Sequence, residues 1–125
     1  MSSATGKHLL FVVNVPSFFV SHRLGLGLAA LACGWRVDLL TGRENPQAEQ
    51  LAAETLSRHG VAWQPAAFRA AGVNPFAELR GLLSVIARGR TLRPDIVHCA
   101  SPKGNLYGGI AARLCRVPKL VIAVS

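Results

Sequence analysis

The sequence PDIVHCASPKGNLYGG at residues 94–109 decides the fold class. A proline precedes a short apolar run typical of a buried strand, which is followed by a small polar loop and a glycine-rich stretch suited to a helix. The segment PSFFVSHR at residues 16–23 follows another apolar run, at residues 8–13, in the same way. Buried strands that each lead into a helix predict an open parallel α/β sheet.

The rest of the chain repeats this alternation. Strands are expected at residues 8–13, 35–41, 61–64, 96–99 and 120–124. Helices are expected from Ser17 or Ser21 to Cys33, from Pro46 to Arg58, from Pro75 to Pro94 and from Pro102 to about Cys115. Right-handed crossovers then give a Rossmann-like sheet of five strands in the order 3-2-1-4-5, with helices on both faces. Because no helix follows the fifth strand to cover it, we expect the fold to be incomplete at the C-terminus.

Two segments allow more specific structural expectations. Residues 65–73 have no regular pattern and are interpreted as a surface loop. After them, Asn74 and Pro75 suit the start of a helix. The apolar residues of this helix recur at helical spacing and predict one core-facing stripe, formed by Phe76, Leu79, Leu82, Leu83 and Ile86.

Composition narrows the class of protein. At 125 residues with half of them apolar, the chain fits one globular domain. No apolar run is long enough to span a bilayer, and no signal peptide is recognisable, so a cytoplasmic location is the expectation. Cys33, Cys99 and Cys115 are far apart in apolar surroundings, which favours buried free thiols and no metal site.

The net charge of +8 favours anionic ligands or surfaces. Nucleic acid is not expected as a partner, because aromatic residues are few, the basic residues are dispersed and no binding motif accompanies them. The densest basic cluster is Arg80, Arg88, Arg90 and Arg93. It is most simply a solvated face, and it also suits peripheral attraction to an anionic membrane.

One apparent cofactor motif is misplaced. The run from Gly25 through Gly27 to Ala30 matches the dinucleotide fingerprint G-x-G-x-x-A. That fingerprint must directly follow the first strand, whereas about eleven residues separate Val13 from Gly25. The glycines therefore indicate close packing of a helix on the sheet, and no cofactor is predicted.

Polar residues in the loops after strands one and four are the candidate site. In parallel α/β sheets such loops meet at the carboxyl edge, where ligands bind. The candidates for substrate binding are Ser17, His22, Arg23, His98, Lys103 and Asn105. Structural alternatives stay open: a capping serine, solvated polar side chains, a core histidine and a surface lysine. No catalytic residue is assigned.

Several segments in order resemble one known family. They are PSFFVSHRL at 16–24, GWRVDLLT at 34–41, RPDIVH at 93–98 with SPKG at 101–104, and AARLCRVPK at 111–119. From about Lys7 to Ser125 the chain resembles the N-terminal domain of GT-B glycosyltransferases of family 4, especially the bacterial capsule and lipopolysaccharide type. Relatives often have a second histidine where this chain has Ala100.

The resemblance implies that residues 1–125 are the acceptor-side Rossmann-like domain, with the C-terminal donor domain absent. The full-length protein would be a hexosyltransferase that uses a nucleoside-diphosphate sugar, and this part alone would be inactive. The acceptor would be a polysaccharide or lipopolysaccharide, including a lipid-linked one, at the inner membrane face. Two alternatives remain: a non-catalytic partner subunit of a split glycosyltransferase, and a nucleotide-binding α/β domain.

Overall fold

Strands and helices alternate along the computed structural model, which describes residues 7–69, 75–100 and 102–123. The elements are β1 (His8–Val13), α1 (Pro16–His22), α2 (Leu24–Ala32), β2 (Arg36–Arg43), α3 (Pro46–His59), β3 (Ala62–Arg69), α4 (Pro75–Leu92), β4 (Ile96–Ala100), α5 (Pro102–Leu114) and β5 (Lys119–Ala123).

The five strands form one parallel sheet in the order β3-β2-β1-β4-β5. This confirms the predicted Rossmann-like fold and its strand order. β1 lies at the centre, where Phe11 is paired with Leu39 of β2 on one side and with His98 of β4 on the other. The carboxyl ends of β1 and β4 are therefore neighbours at one edge of the sheet.

Each face of the sheet has its own core, because successive side chains of a strand point to opposite faces. Phe11 belongs to the cluster that includes Phe19 of α1 and Leu56 of α3. Val12 belongs to the other cluster, with Val85 of α4 and Ala111 of α5. The layer α1–α3 covers one face and the layer α4–α5 covers the other.

The helix predicted between Ser17 or Ser21 and Cys33 is divided in two. Val15 is the N-cap of α1 and Pro16 its first residue, so the prediction of a serine cap is wrong. Proline suits this first position because its φ is already helical and its missing N–H is not needed there. At Arg23 the backbone leaves the helical region (φ −128°), which ends α1 before α2 begins.

Gly25 and Gly27 lie inside α2, well beyond the end of β1. A Cβ on Gly27 would stand 3.1 Å from the ring of Phe19 and 3.7 Å from that of Phe11. The absence of a side chain at Gly27 thus lets α2 approach the sheet closely, which is the structural role expected from the sequence.

The β3 strand is longer than predicted. It runs to Arg69, so the first half of the expected loop at residues 65–73 is extended instead. Pro65 is compatible with this because β3 is an edge strand, where a missing N–H costs no ladder bond on the open side. Residues 70–74, including Asn74, lie outside the described part.

Three predicted core residues of α4 face solvent. Phe76, Leu79 and Leu83 are 84, 54 and 56% exposed, whereas Leu82 and Ile86 pack against the core. The single stripe expected from helical spacing is wrong because buried small residues of α4, including Gly81, Val85 and Gly89, define a different inner side.

The cysteine prediction is correct only in part. Cys99 is buried and Cys115 half-buried, but Cys33 is exposed at the C-cap of α2. Burial raises the pKa of the Cys99 thiol to about 12, so this thiol is protonated at neutral pH. Among the described residues, no helix combines the length and apolar character needed to cross a membrane.

Candidate functional site

The candidate site lies at the carboxyl edge of the sheet, between β1 and β4. Both strands end there in very short connections, from Val13 to Pro16 and from Ala100 to Pro102. Short connections hold the starts of α1 and α5 close to the strand ends. The sequence predicted that these two loops share an edge, and the observed strand order, with β1 next to β4, confirms it.

His98 is the buried polar side chain of this region. It lies two residues before the end of β4 and only 9% of its surface is exposed. Its ring packs on Phe11 with the centroids 5.1 Å apart, and Phe11 in turn meets the edge of Phe19 at 4.8 Å. The Nε2 atom of His98 is buried and has no hydrogen-bond partner among the described residues. An unused polar atom inside a core is costly, so this nitrogen suggests a ligand position.

Burial lowers the pKa of His98 below 6.5, and the Arg23 guanidinium lowers this pKa further. Both effects disfavour the charged ring, since burial removes water and Arg23 adds a like charge. His98 is therefore a neutral imidazole at neutral pH. A neutral imidazole can donate from one nitrogen and accept at the other, which suits a sugar hydroxyl.

Arg23 occupies the junction between α1 and α2. One of its terminal nitrogens donates to the backbone oxygen of His22 at 3.1 Å. Its Nε is buried and has no partner among the residues that the structure describes. The charge of Arg23 acts on His98, where it adds to the lowering of the pKa. A guanidinium with unused donors is suited to a phosphate oxygen.

Ser17 is engaged within the protein. Its backbone N–H and its hydroxyl donate to the two carboxylate oxygens of Glu44, at 2.8 and 2.7 Å. Glu44 follows β2, so this contact ties the loops after β1 and β2 together. Because the carboxylate of Glu44 already occupies the start of α1, an anionic ligand would be repelled there. Ser17 therefore ties the loop after β1 to the loop after β2, and its hydroxyl is already used in that contact.

A second carboxylate completes this connection. Glu49 of α3 accepts from the backbone N–H of Glu44 at 2.8 Å and from the Arg43 guanidinium at 3.0 Å. Sequence reasoning missed Glu44 and Glu49. The available signal was an acidic residue in the first turn of a helix, a position that usually satisfies nearby backbone donors.

The remaining candidates are less closely associated. His22 is exposed on α1, where its ring stacks on Phe18 at 4.6 Å and its Nδ1 lies 3.3 Å from the Phe18 carbonyl. Asn105 is half-buried in the first turn of α5. Lys103 belongs to the same turn, but its side chain lies outside the described part. The structure thus links Arg23 to His98 electrostatically, whereas the Ser17 hydroxyl bonds Glu44 and the His22 ring stacks on Phe18.

Solved glycosyltransferases share this fold. Acinetobacter baumannii MurG superposes with a TM-score of 0.72 at 20% identity, covering 94% of this chain and 35% of that one. The calicheamicin glycosyltransferase CalG4 gives 0.64 at 16% identity, with 94% and 32% coverage. A glycosyltransferase from Rickettsia africae gives 0.65 at 15% identity, with 94% and 29% coverage. The chain spans about a third of the length of these structures.

No curated protein matches the chain. A family model does: the glycosyl transferase 4-like domain aligns with residues 20–124, which include Arg23, β4 and α5. The match covers most of the chain and includes the loop after β4, but it begins after β1 and the start of α1. This chain therefore belongs to the glycosyl transferase 4-like domain family.

Proposed function

We propose that the chain is the acceptor-binding half of a glycosyltransferase that moves a hexose from a nucleoside-diphosphate sugar. The acceptor is a polysaccharide or lipopolysaccharide precursor of bacterial type, attached to a lipid diphosphate. A second domain supplies most of the donor site, and residues 1–125 alone do not turn over. The protein works in the cytoplasm, where its positive charge also attracts it to the anionic inner membrane face.

The observation that supports this proposal best is the pair formed by His98 and Arg23. Each has a buried nitrogen without a partner in the described residues, and the charge of Arg23 helps to lower the pKa of His98. The family match raises the expectation of sugar transfer at this edge. A diphosphate needs cationic donors and an acceptor hydroxyl needs a neutral hydrogen-bonding group, and this pair offers one of each.

In the proposed mechanism the chain positions the acceptor and the protein's own charges assist the transfer. Arg23 binds a diphosphate oxygen, and Lys103 in the first turn of α5 adds a second positive charge. Neutral His98 hydrogen-bonds the acceptor hydroxyl and orients it toward the donor sugar. Fixed charges and orientation of this kind lower the barrier because they need no reorganisation during the reaction.

A binding measurement tests the proposal. Titration of a detergent-solubilised polyprenyl diphosphate should give an affinity that Arg23→Ala lowers by about 10- to 150-fold, the equivalent of a lost charge-assisted hydrogen bond. Arg58→Ala is the matched control, since Arg58 is an exposed arginine on α3. Equal losses in the two variants would reduce the effect to general electrostatics and refute a specific acceptor site.

A further inference from the structure

A cleft of about 470 Å³ lies at the amino edge of the sheet, where the strands begin, on the side opposite to the candidate site. It is bordered by the segments that lead from α4 into β4 and from α5 into β5. Three exposed arginines line it: Arg90 in the last turn of α4, Arg93 directly after α4, and Arg116 after α5. We call this space the amino-edge cleft. Its volume is within the range of small-molecule sites.

The charge of the cleft is predominantly positive. Its acidic lining residue is Asp95, and the Oδ2 atom of Asp95 already accepts from the backbone N–H of His8 at 2.8 Å. None of the ion pairs found among the described residues includes the three cleft arginines. The guanidinium hydrogen bonds in that part of the chain belong to Arg23 and Arg43. Three guanidinium groups around one space favour a ligand with several negative charges.

The backbone at the helix ends supports a role for two of these side chains. On the α1–α3 layer, glycines adopt the positive φ that ends a helix: Gly34 after α2 (84°) and Gly60 after α3 (83°). On the α4–α5 layer, Arg93 (49°) and Arg116 (55°) adopt it instead. Glycine is the usual residue there, because a Cβ makes this conformation less favourable. Both loops that border the cleft therefore have an arginine where the backbone favours glycine, and such strained positions are typical of functional sites.

Shape and chemistry decide which anion fits. Single-stranded nucleic acid is bound through aromatic side chains on which the bases stack, and the lining of the cleft contains no aromatic residue. The cleft is concave and confined to two loops, which suits a small soluble molecule better than an extended surface. One phosphate group can meet one or two arginine forks, whereas two adjacent phosphate groups can meet arginines from both loops at once.

We propose that the amino-edge cleft binds a small soluble molecule that carries two adjacent phosphate groups. Arg93 and Arg116 bind the phosphate oxygens from the two loops, and Arg90 adds a third positive charge. The site lies at the opposite edge of the sheet from His98 and Arg23, so the inference goes beyond the proposed function and does not depend on glycosyl transfer.

Calorimetric titration of the full chain with inorganic pyrophosphate tests the proposal. In about 0.1 M salt, the Kd should lie below about 0.1 mM. Orthophosphate should bind at least about tenfold more weakly, because a single phosphate group cannot bond both loops at once. Equal affinities for the two anions would overturn the proposal.

The double variant Arg93→Gly, Arg116→Gly separates binding from folding. It should weaken pyrophosphate binding at least about 30-fold. Its melting temperature should stay equal or rise, since glycine suits a positive φ. The control Arg58→Gln, Arg88→Gln removes two exposed arginines that do not line the cleft, and it should bind within about threefold of the unchanged protein. A lower melting temperature with unchanged pyrophosphate binding would leave the two arginines only a structural role and overturn the proposal.

The thiol of Cys115 reports where the anion binds. Cys115 is half-buried and lines the cleft, whereas Cys33 is exposed at the C-cap of α2 on the other layer. Saturating pyrophosphate should slow the alkylation of Cys115 by iodoacetamide at least about threefold and leave Cys33 unchanged, because the anion covers the thiol and disfavours its thiolate. Peptide mass spectrometry measures both rates. Equal rates at Cys115 with and without pyrophosphate would contradict binding in the cleft.

The same protection assay distinguishes this inference from the proposed function and from other ligands. Arg23→Ala should weaken polyprenyl diphosphate binding but leave the protection of Cys115 by pyrophosphate unchanged. Loss of that protection in Arg23→Ala would overturn a separate site at the amino edge. Protection of Cys115 by anionic vesicles or by an oligonucleotide, but not by pyrophosphate, would overturn the proposal in favour of a lipid headgroup or of nucleic acid.

Discussion

The two edges of the sheet use a buried histidine in opposite ways. At the amino edge, Nε2 of His8 bonds the carboxylate of Asp38, which also pairs with Arg36 at 2.9 Å. The backbone of His8 exchanges two 2.8 Å hydrogen bonds with Asp95. At the carboxyl edge, His98 packs on Phe11 and its Nε2 has no partner among the described residues.

The difference shows that burial of a histidine does not by itself indicate function. His8 and His98 lie on the adjacent strands β1 and β4 and are 8 and 9% exposed. His8 holds three strand starts together through its partners, although Oδ1 of Asp38 is left without one in the described part. The Nε2 atom of His98 and the Nε atom of Arg23 are buried and have no hydrogen-bond partner in the described part. Changes at the amino edge should therefore affect stability, and changes at the carboxyl edge should affect binding.

The largest expected effect is on stability at the amino edge. Asp38→Ala should lower the free energy of unfolding by about 3 kcal/mol, because it removes the buried carboxylate that holds His8 and Arg36. Urea denaturation followed by circular dichroism measures the change. Arg36→Ala is the control, since that side chain is 62% exposed and its pair should contribute less than about 1 kcal/mol. If Asp38→Ala left the unfolding midpoint unaltered, the amino edge would not have the stabilising role that distinguishes it from the carboxyl edge.

The carboxyl edge should show the reverse behaviour. Under the proposed function, Arg23→Ala and Lys103→Ala should each lower sugar transfer by roughly 10- to 150-fold, equivalent to about 1.5–3 kcal/mol of charge-assisted hydrogen bonding. Their melting temperatures should stay unchanged. Radiolabelled sugar transfer and differential scanning fluorimetry measure the two quantities. If both variants kept full activity, only the structural interpretation of a helix-junction arginine and a surface lysine would remain.

Alanine substitutions at two glycines of α2 should have smaller effects on stability, and the two effects should have opposite signs. Gly27→Ala should destabilise the protein by about 1 kcal/mol, because the new methyl group would press on the buried Phe19 ring. Gly25→Ala should stabilise it by up to about 1 kcal/mol, since nothing lies within 4 Å and alanine favours the helix. Thermal unfolding of both variants gives the comparison. Effects of the same sign would contradict close packing at Gly27.

The smallest effect tests the proximity of Arg23 and His98 directly. Arg23→Ala should raise the pKa of His98, because it removes the like charge that helps to lower this pKa. The titration of the imidazole proton in NMR spectra measures the shift. Arg58→Ala should leave the titration unchanged. An unchanged His98 pKa in Arg23→Ala would show that Arg23 exerts no electrostatic effect on His98.

The same pKa predicts how stability depends on pH. The unfolded chain takes up a proton at His98 near pH 6.5, while the folded chain takes it up only at lower pH. Below about pH 6.5 the unfolded state therefore binds more protons, and the free energy of unfolding falls as the pH falls. His98→Phe should make this decline shallower in urea titrations at pH 7, 6 and 5. If the free energy of unfolding fell as steeply in His98→Phe as in the unchanged protein, groups other than His98 would cause the decline.

Sequence patterns were sufficient for some parts of the site and insufficient for others. The buried run ending at Cys99 and the proline at 102 correctly located the carboxyl end of β4 and the start of α5. They could not show that the Ser17 hydroxyl donates a hydrogen bond to Glu44, because the two residues are 27 positions apart. Long-range side-chain pairs leave no periodic signal in a single sequence.

By itself, the sequence determined the fold class, the strand order and the edge where the loops after β1 and β4 meet. These follow from the local alternation of apolar runs with helical segments and from the handedness of crossovers, which act on every chain of this type. Only the tertiary structure decided that the charge of Arg23 acts on His98 and that Phe76, Leu79 and Leu83 face outward. Helical spacing places residues on a common side, but which side is buried depends on what packs against it.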